Sequence, residues 1–111
     1  LADRLLADGT RIYREMPFTL AVPTPGLPDE ITLVQGIIDL WYQTADGKAG
    51  LVDFKSDQLR ADTVEALTAL YAERYGVQLD YYAAAIEKAI GNDVHWKQIW
   101  AIRQGVQLTL D

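Results

Sequence analysis

Apolar residues at Leu1, Leu5 and Leu6 follow helical spacing, and Asp8-Gly9 closes that stretch with a glycine suited to a C-terminal cap. From residue 11 to 22 the pattern becomes an alternation. Ile12, Arg14, Met16, Phe18 and Leu20 fall on one parity, and Tyr13, Glu15 and Thr19 on the other. This predicts a strand, with Pro17 marking an edge, an end or a bulge. Pro23, Pro25, Gly26 and Pro28 predict a rigid loop, because an interior strand does not absorb so many missing N–H donors. Residues 31–43 read as a long strand through Ile31, Leu33, Val34, Ile37, Ile38, Leu40, Trp41 and Tyr42. Ala45-Asp46-Gly47 signals a hairpin, and Leu51 to Lys55 is the returning strand.

The next stretch, 57–61, is polar and turn-like. Asp62 or Thr63 caps a predicted helix carrying Val64, Leu67, Leu70 and Tyr71 on one side and ending near Tyr75-Gly76. A second helix is predicted from Val77 to Ile90, with Val77, Tyr81, Ala84 and Ala85 as a stripe widened by Leu79, Tyr82 and Ile86. Gly91-Asn92-Asp93 stops it. Val94 to Arg103 and Val106 to Leu110 are strands separated by a turn at Gly105. The predicted order is a helix end, three strands, two helices and two strands. That is an α/β fold with a mixed sheet flanked by helices, its first three strands an antiparallel meander.

Charged residues interrupt the apolar hairpin. Asp39 stands between Ile38 and Leu40, and Asp53 and Lys55 flank Phe54 on the partner strand. A buried carboxylate is costly unless it is paired or holds a metal. Asp53 and Lys55 share parity, so they point to one face, roughly 7 Å apart along the strand. A two-residue turn would pair residue 39 with 54 and turn Asp39 away. A three-residue loop with Gly47 in the left-handed position pairs 39 with 53, and this is the register expected. Two carboxylates so placed suit Mg²⁺ or Mn²⁺, with the Phe54 carbonyl as a third protein ligand. Such a cation acidifies a water for attack on a phosphodiester and neutralises the developing charge. Lys55 is placed to orient or deprotonate that water, or to stabilise the phosphoryl oxygens.

Composition narrows the alternatives. The chain has 111 residues, enough for one core. Half of them are apolar, which excludes a disordered tail. It has no Cys and one His, which excludes a disulfide scaffold and a cysteine zinc site. No apolar run reaches the roughly 20 residues of a membrane span, and no signal peptide opens the chain; a reduced, cytoplasmic compartment and no membrane partner are expected. The net charge of −6 argues against binding nucleic acid mainly through a basic surface. It leaves room for an enzyme that meets a phosphate backbone through a bound cation. Because the chain opens at Leu1 inside a helical pattern, it reads as residues 1–111 of a single domain excised from a larger chain, its first helix truncated.

Three ordered motifs carry a resemblance. Gly36-Ile37-Ile38-Asp39, then Val52-Asp53-Phe54-Lys55, then Gln78 and Tyr82 as a QxxxY resemble the PD-(D/E)xK nuclease superfamily, RecB-like branch. Glu15-Met16-Pro17-Phe18, Asp53-Phe54-Lys55-Ser56-Asp57 and Tyr75-Gly76-Val77-Gln78-Leu79-Asp80-Tyr81-Tyr82 are similar to the C-terminal nuclease domain of AddA-type helicase–nuclease subunits. The likeness covers residues 12–104. It implies a restriction-endonuclease-like fold, and a Mg²⁺- or Mn²⁺-dependent exonuclease acting on helicase-unwound DNA in double-strand break repair and recombination. Asp39 and Asp53 would be metal ligands and Lys55 the catalytic lysine, with Glu15, Gln78 and Tyr82 as accessory catalytic residues. The implied partners are DNA, fused helicase domains and a second helicase–nuclease subunit. One departure matters: the family's further His or Glu ligand on a preceding helix has no counterpart, since residues 1–8 offer only Asp3 and Asp8.

Blander readings stand beside these. Taken singly, Asp39, Asp53 and Lys55 are more often an ion pair or exposed strand residues. Glu15 is equally a surface residue of an edge strand, and Gln78 and Tyr82 equally a packed helix face. His95 reads as structural or exposed, Asp46 as a turn former, and Trp41, Trp96 and Trp100 as core or partner-facing. The function read from all of this is a metal-dependent deoxyribonuclease. The alternative is a catalytically inactive DNA-end-binding or docking module of a repair complex.

Overall fold

The computed structural model of the chain describes residues 2–110; the helical reading of Leu1 lies outside them. Helix α1 (Ala2–Leu6) leads into strands β1 (Arg11–Thr24), β2 (Leu27–Gln43) and β3 (Ala49–Lys55). Helix α2 (Val64–Ile90) crosses back to β4 (Val94–Ala101) and β5 (Val106–Leu110). The sheet runs β1-β2-β3-β4-β5, antiparallel throughout except for the parallel pair β3–β4 on either side of the crossover. The expected α/β architecture and the antiparallel meander are both present. No helix among the described residues is long and apolar enough to cross a membrane.

The core lies between α2 and one sheet face. Leu67, Tyr71, Leu79 and Ile86 of α2 pack on Ile38, Leu51, Ile99 and Leu108. A smaller cluster on the other face joins Leu40, Tyr42 and Val52 with Leu5 and Trp96. There Arg4 lies 4.1 Å from the Trp96 ring centroid and donates from Nε to the Tyr42 hydroxyl, which donates to Gln98 Oε1 at 3.0 Å.

Three expectations are corrected. The two helices expected on either side of Gly76 are one continuous helix, capped by Thr63 and ending at Gly91 (φ 76°). Gly76 costs about 1 kcal/mol in a helix interior. Tyr71 and Leu79, both fully buried, hold the turns before and after it on the sheet, which outweighs that cost. A Cβ at Gly76 meets nothing within 4 Å. Gly76→Ala is therefore expected to stabilise the fold by about 1 kcal/mol, read as a higher urea midpoint with unchanged slope.

The loop expected at 23–28 is instead the tip of a long β1–β2 hairpin, closed at Pro25-Gly26 with Thr24 opposite Leu27. β1 is an edge strand, so Pro17 and Pro23 lack donors only where no neighbouring strand needs them. Finally, the single alternation of β1 breaks at Glu15, whose φ is +51°. Tyr13 stacks on Trp41 with centroids 4.2 Å apart, and Trp41 Nε1 donates to Met16 Sδ. Residues of both parities thus reach the helix-covered side. β2 switches too, with Ile38 in the main core and Leu40 in the opposite cluster.

Candidate active site

The register that brings the two carboxylates together is set by the β2–β3 turn. Thr44 N donates to Lys48 O at 2.8 Å, Gly47 N to Thr44 O at 2.9 Å, and Gly47 has φ +88°. Asp46 completes the turn by accepting from the Thr44 hydroxyl and from Lys48 N. This is the three-residue loop with a left-handed glycine, and it yields the pairs Gln43↔Ala49 through Leu40↔Val52. The next step brings Asp39 level with Asp53.

There the β2–β3 ladder stops. Phe54 N, which the next backbone pairing would have satisfied, donates to Asp39 Oδ2 at 3.0 Å. A side-chain carboxylate replaces a main-chain acceptor, so the strands part without stranding the donor. The N–H and C=O of one strand residue leave on the same edge, so the Phe54 carbonyl is aimed at the same opening. Glu15 lies between the pairs Arg14↔Leu40 and Met16↔Ile38, which sets it across from Asp39. Glu15, Arg14, Asp39, Leu40 and Phe54 line an open cavity of about 400 Å³. The left-handed backbone of Glu15, uncommon for a non-glycine residue, stands at the point where both strands switch faces.

Asp53 is buried, 3% exposed, on the α2 side of the sheet. Burial, and then the hydrogen-bonded Asp39 carboxyl, push its pKa up to about 6, against the opposing pull of Lys55. Lys55 Nζ lies 2.9 Å from Asp53 Oδ2 and donates to Gln78 Oε1 at 3.0 Å. The ammonium lies off the hydrogen-bonding direction of Oδ2, which is a buried oxygen without a hydrogen-bond partner. Tyr82, one helical turn after Gln78, is buried edge-on against Phe18 at 5.3 Å. Its hydroxyl pKa is raised by burial and next by the nearby Asp53. Gly36 makes room for this packing, since a Cβ there would lie 2.9 Å from the Phe18 ring and 3.5 Å from that of Tyr82.

The structure thus gathers Asp39, Asp53, Lys55 and Gln78 directly. It sets Tyr82 behind them and Glu15 at the rim of the cavity. Two further neighbours, Tyr75 and Asp57, lie inside the quoted motifs but have no role assigned by the sequence pattern. The Lys55 ammonium lies 4.2 Å from the Tyr75 ring centroid, and the Tyr75 hydroxyl donates to Asp57. Tyr75 sits three residues before Gln78, the spacing of one helix face. Ending the helix at Gly76 concealed that spacing.

A divalent cation fits this donor set. Asp53 Oδ2 is buried without a hydrogen-bond partner, the Asp39 carboxylate is half-buried beside it, and a backbone carbonyl is turned to the same edge. Among the described residues no group of three His, Cys, Asp or Glu side chains is placed to hold a metal. Mg²⁺ characteristically takes one or two carboxylates and completes its shell with water and phosphate oxygens, which is the chemistry two aspartates offer. His95 is exposed and lies against Trp96.

No family model matches the chain. It is 38% identical over 109 residues to an ATP-dependent helicase/nuclease subunit of Desulforudis audaxviator, covering 92% of this chain and 8% of that protein. It is 35% identical over 118 residues to the protein of the same name from Pelotomaculum thermopropionicum, covering 100% of this chain and 9% of the relative. To that of Bacillus velezensis it is 35% identical over 112 residues, 90% of this chain and 9% of the relative. The chain spans less than a tenth of each curated relative's length, and nearly all of it is similar to one segment of these ATP-dependent helicase/nuclease subunits.

Proposed function

We propose that the chain is the Mg²⁺-dependent deoxyribonuclease part of an AddA-type helicase–nuclease, a PD-(D/E)xK nuclease of the RecB-like branch. In this reading it hydrolyses phosphodiesters, as an exonuclease, in DNA unwound by helicase domains of the same parent chain, in break repair and recombination. A second helicase–nuclease subunit is the expected partner. The observation that carries the reading is the placement of a lysine between a buried, hydrogen-bond-poor aspartate and a glutamine, beside a second aspartate at the point where two strands part.

Asp39, Asp53 and the Phe54 carbonyl would hold the ion. When bound, it supplies Lewis-acid activation of water and charge neutralisation at phosphorus. The protein's own contributions follow from its geometry. Asp53, raised to about 6, sheds its proton by neutral pH and presents a full carboxylate in a buried site. Lys55 brings a positive charge to the edge where phosphoryl oxygens gain negative charge. Gln78 orients that ammonium through Oε1. Tyr82, packed on Phe18, walls the site from the core side, and Glu15 offers a further carboxylate at the cavity rim.

Calorimetric titration of Mn²⁺ or Mg²⁺ tests the reading, run beside cleavage of end-labelled single-stranded DNA. Binding that weakens at least about tenfold in Asp53→Ala is expected, in line with loss of a ligand, together with ion-dependent cleavage. Ion binding without cleavage would favour the alternative of a DNA-end-binding or docking module. Equal ion affinity in wild type and variant would overturn the site.

A further inference from the structure

Lys55 is flanked on three sides. Asp53 Oδ2 lies 2.9 Å from its ammonium, Gln78 Oε1 accepts from it at 3.0 Å, and the Tyr75 ring faces it with the centroid 4.2 Å away. A lysine ends a flexible four-carbon stem, so two polar partners leave it free to swing away from them. The ring face closes the remaining side. It attracts the cation and takes no proton.

The ring is itself held. The Tyr75 hydroxyl donates to the Asp57 carboxylate, 2.7 Å from Oδ2 and 2.8 Å from Oδ1. Arg74 Nε lies 3.1 Å from the same Oδ2, and Gln104 Nε2 donates to the Asp57 backbone carbonyl at 3.2 Å. Turning the ring would break a charge-assisted hydrogen bond. Asp57 follows Lys55 by two residues, so the segment that leaves β3 just after the lysine carries the anchor for its aromatic support.

We infer that Tyr75, braced by Asp57 and Arg74, is a positioning residue that holds the Lys55 ammonium toward Asp53 and Gln78. The consequence for catalysis rests on the nuclease reading; the placement of Lys55 does not.

Lysine is labelled with ¹³C at Cε, giving four signals, from Lys48, Lys55, Lys88 and Lys97. The signal of Lys55 is assigned by its loss in Lys55→Arg. Its ε-protons are expected upfield of the other three through the Tyr75 ring current. The displacement persists in Tyr75→Phe, shrinks in Asp57→Asn and disappears in Tyr75→Leu. In DNA cleavage, Tyr75→Leu lowers kcat about tenfold, equivalent to about 1.4 kcal/mol, with KM little changed and Mn²⁺ affinity retained. Tyr75→Phe recovers most of the rate. An ordinary Lys55 signal in wild type overturns the inference without any variant having to fold. So does a displacement that survives Tyr75→Leu, or wild-type kcat in that variant. Wild-type protein that shows the displacement but cleaves nothing would sink the nuclease reading and leave the brace standing. Cleavage without the displacement would do the reverse.

Discussion

Lys55→Ala is expected to lower DNA cleavage by about 10²- to 10³-fold, the loss seen when one preorganised charge-stabilising donor is removed. Divalent-ion affinity should be retained or slightly raised. The ammonium lies 2.9 Å from Asp53 Oδ2 and competes with any cation for that oxygen. Its removal frees the carboxylate while taking away the positive charge at the phosphoryl edge. The split between ion binding and turnover is what marks a catalytic group rather than a ligand. Lys55→Arg should not restore the rate, because a planar guanidinium does not fit the narrow space between Asp53, Gln78 and the Tyr75 face. Single-turnover cleavage and Mn²⁺ calorimetry on the same preparations check both halves. A loss of less than about fivefold, against the 10²-fold floor of such effects, would remove Lys55 from the reaction.

Asp53→Asn is expected to make the ion-free protein more stable than wild type at about pH 7.5, and no more stable near pH 4. The sign follows from the shifted carboxyl. Its folded pKa is about 6 against an ordinary 3.8. A group raised in the folded state contributes stability that is fully present below its unfolded pKa and lost as pH rises through the folded one. Between about pH 4 and pH 7 the wild type therefore gives up as much as about 3 kcal/mol through this residue. An amide at position 53 stays uncharged and can donate to the Asp39 carboxylate, so the variant escapes that loss. Urea unfolding across this pH range reads the difference directly. Saturating Mn²⁺ should restore the wild type at high pH and leave the variant unmoved. Parallel pH profiles for the two proteins would show that Asp53 ionises freely and that its burial carries no penalty.

Much of the candidate site was legible because it depends on short-range rules. Gly47 in a three-residue turn specifies the strand register, and the register alone brings Asp39 level with Asp53. Parity along β3 then puts Lys55 beside them. The spacing of Gln78 and Tyr82 places both on one side of a helix whichever way that helix begins. Less legible were the features that local preference opposes. Gly76 is a poor helix residue, and only Tyr71 and Leu79, buried on the same sheet, explain why α2 runs through it. Tyr75 became visible as a neighbour of Lys55 only once that helix was continuous. The prolines near the hairpin tip spell a loop by their missing donors, until β1 is known to be an edge strand.

Turn chemistry and the two-residue strand period act over a few neighbours, so the class of fold, the hairpin register and the pairing of two aspartates with a lysine are all written into local patterns of residues. The tertiary structure decided what those residues meet. Burial under α2 leaves Asp53 Oδ2 without a hydrogen bond, the parted β2–β3 ladder hands the Phe54 donor to Asp39, and the reversal at Glu15 turns two strands together. Desolvation, ladder termination and backbone strain are properties of packed neighbours far apart in the chain, and no local pattern encodes them.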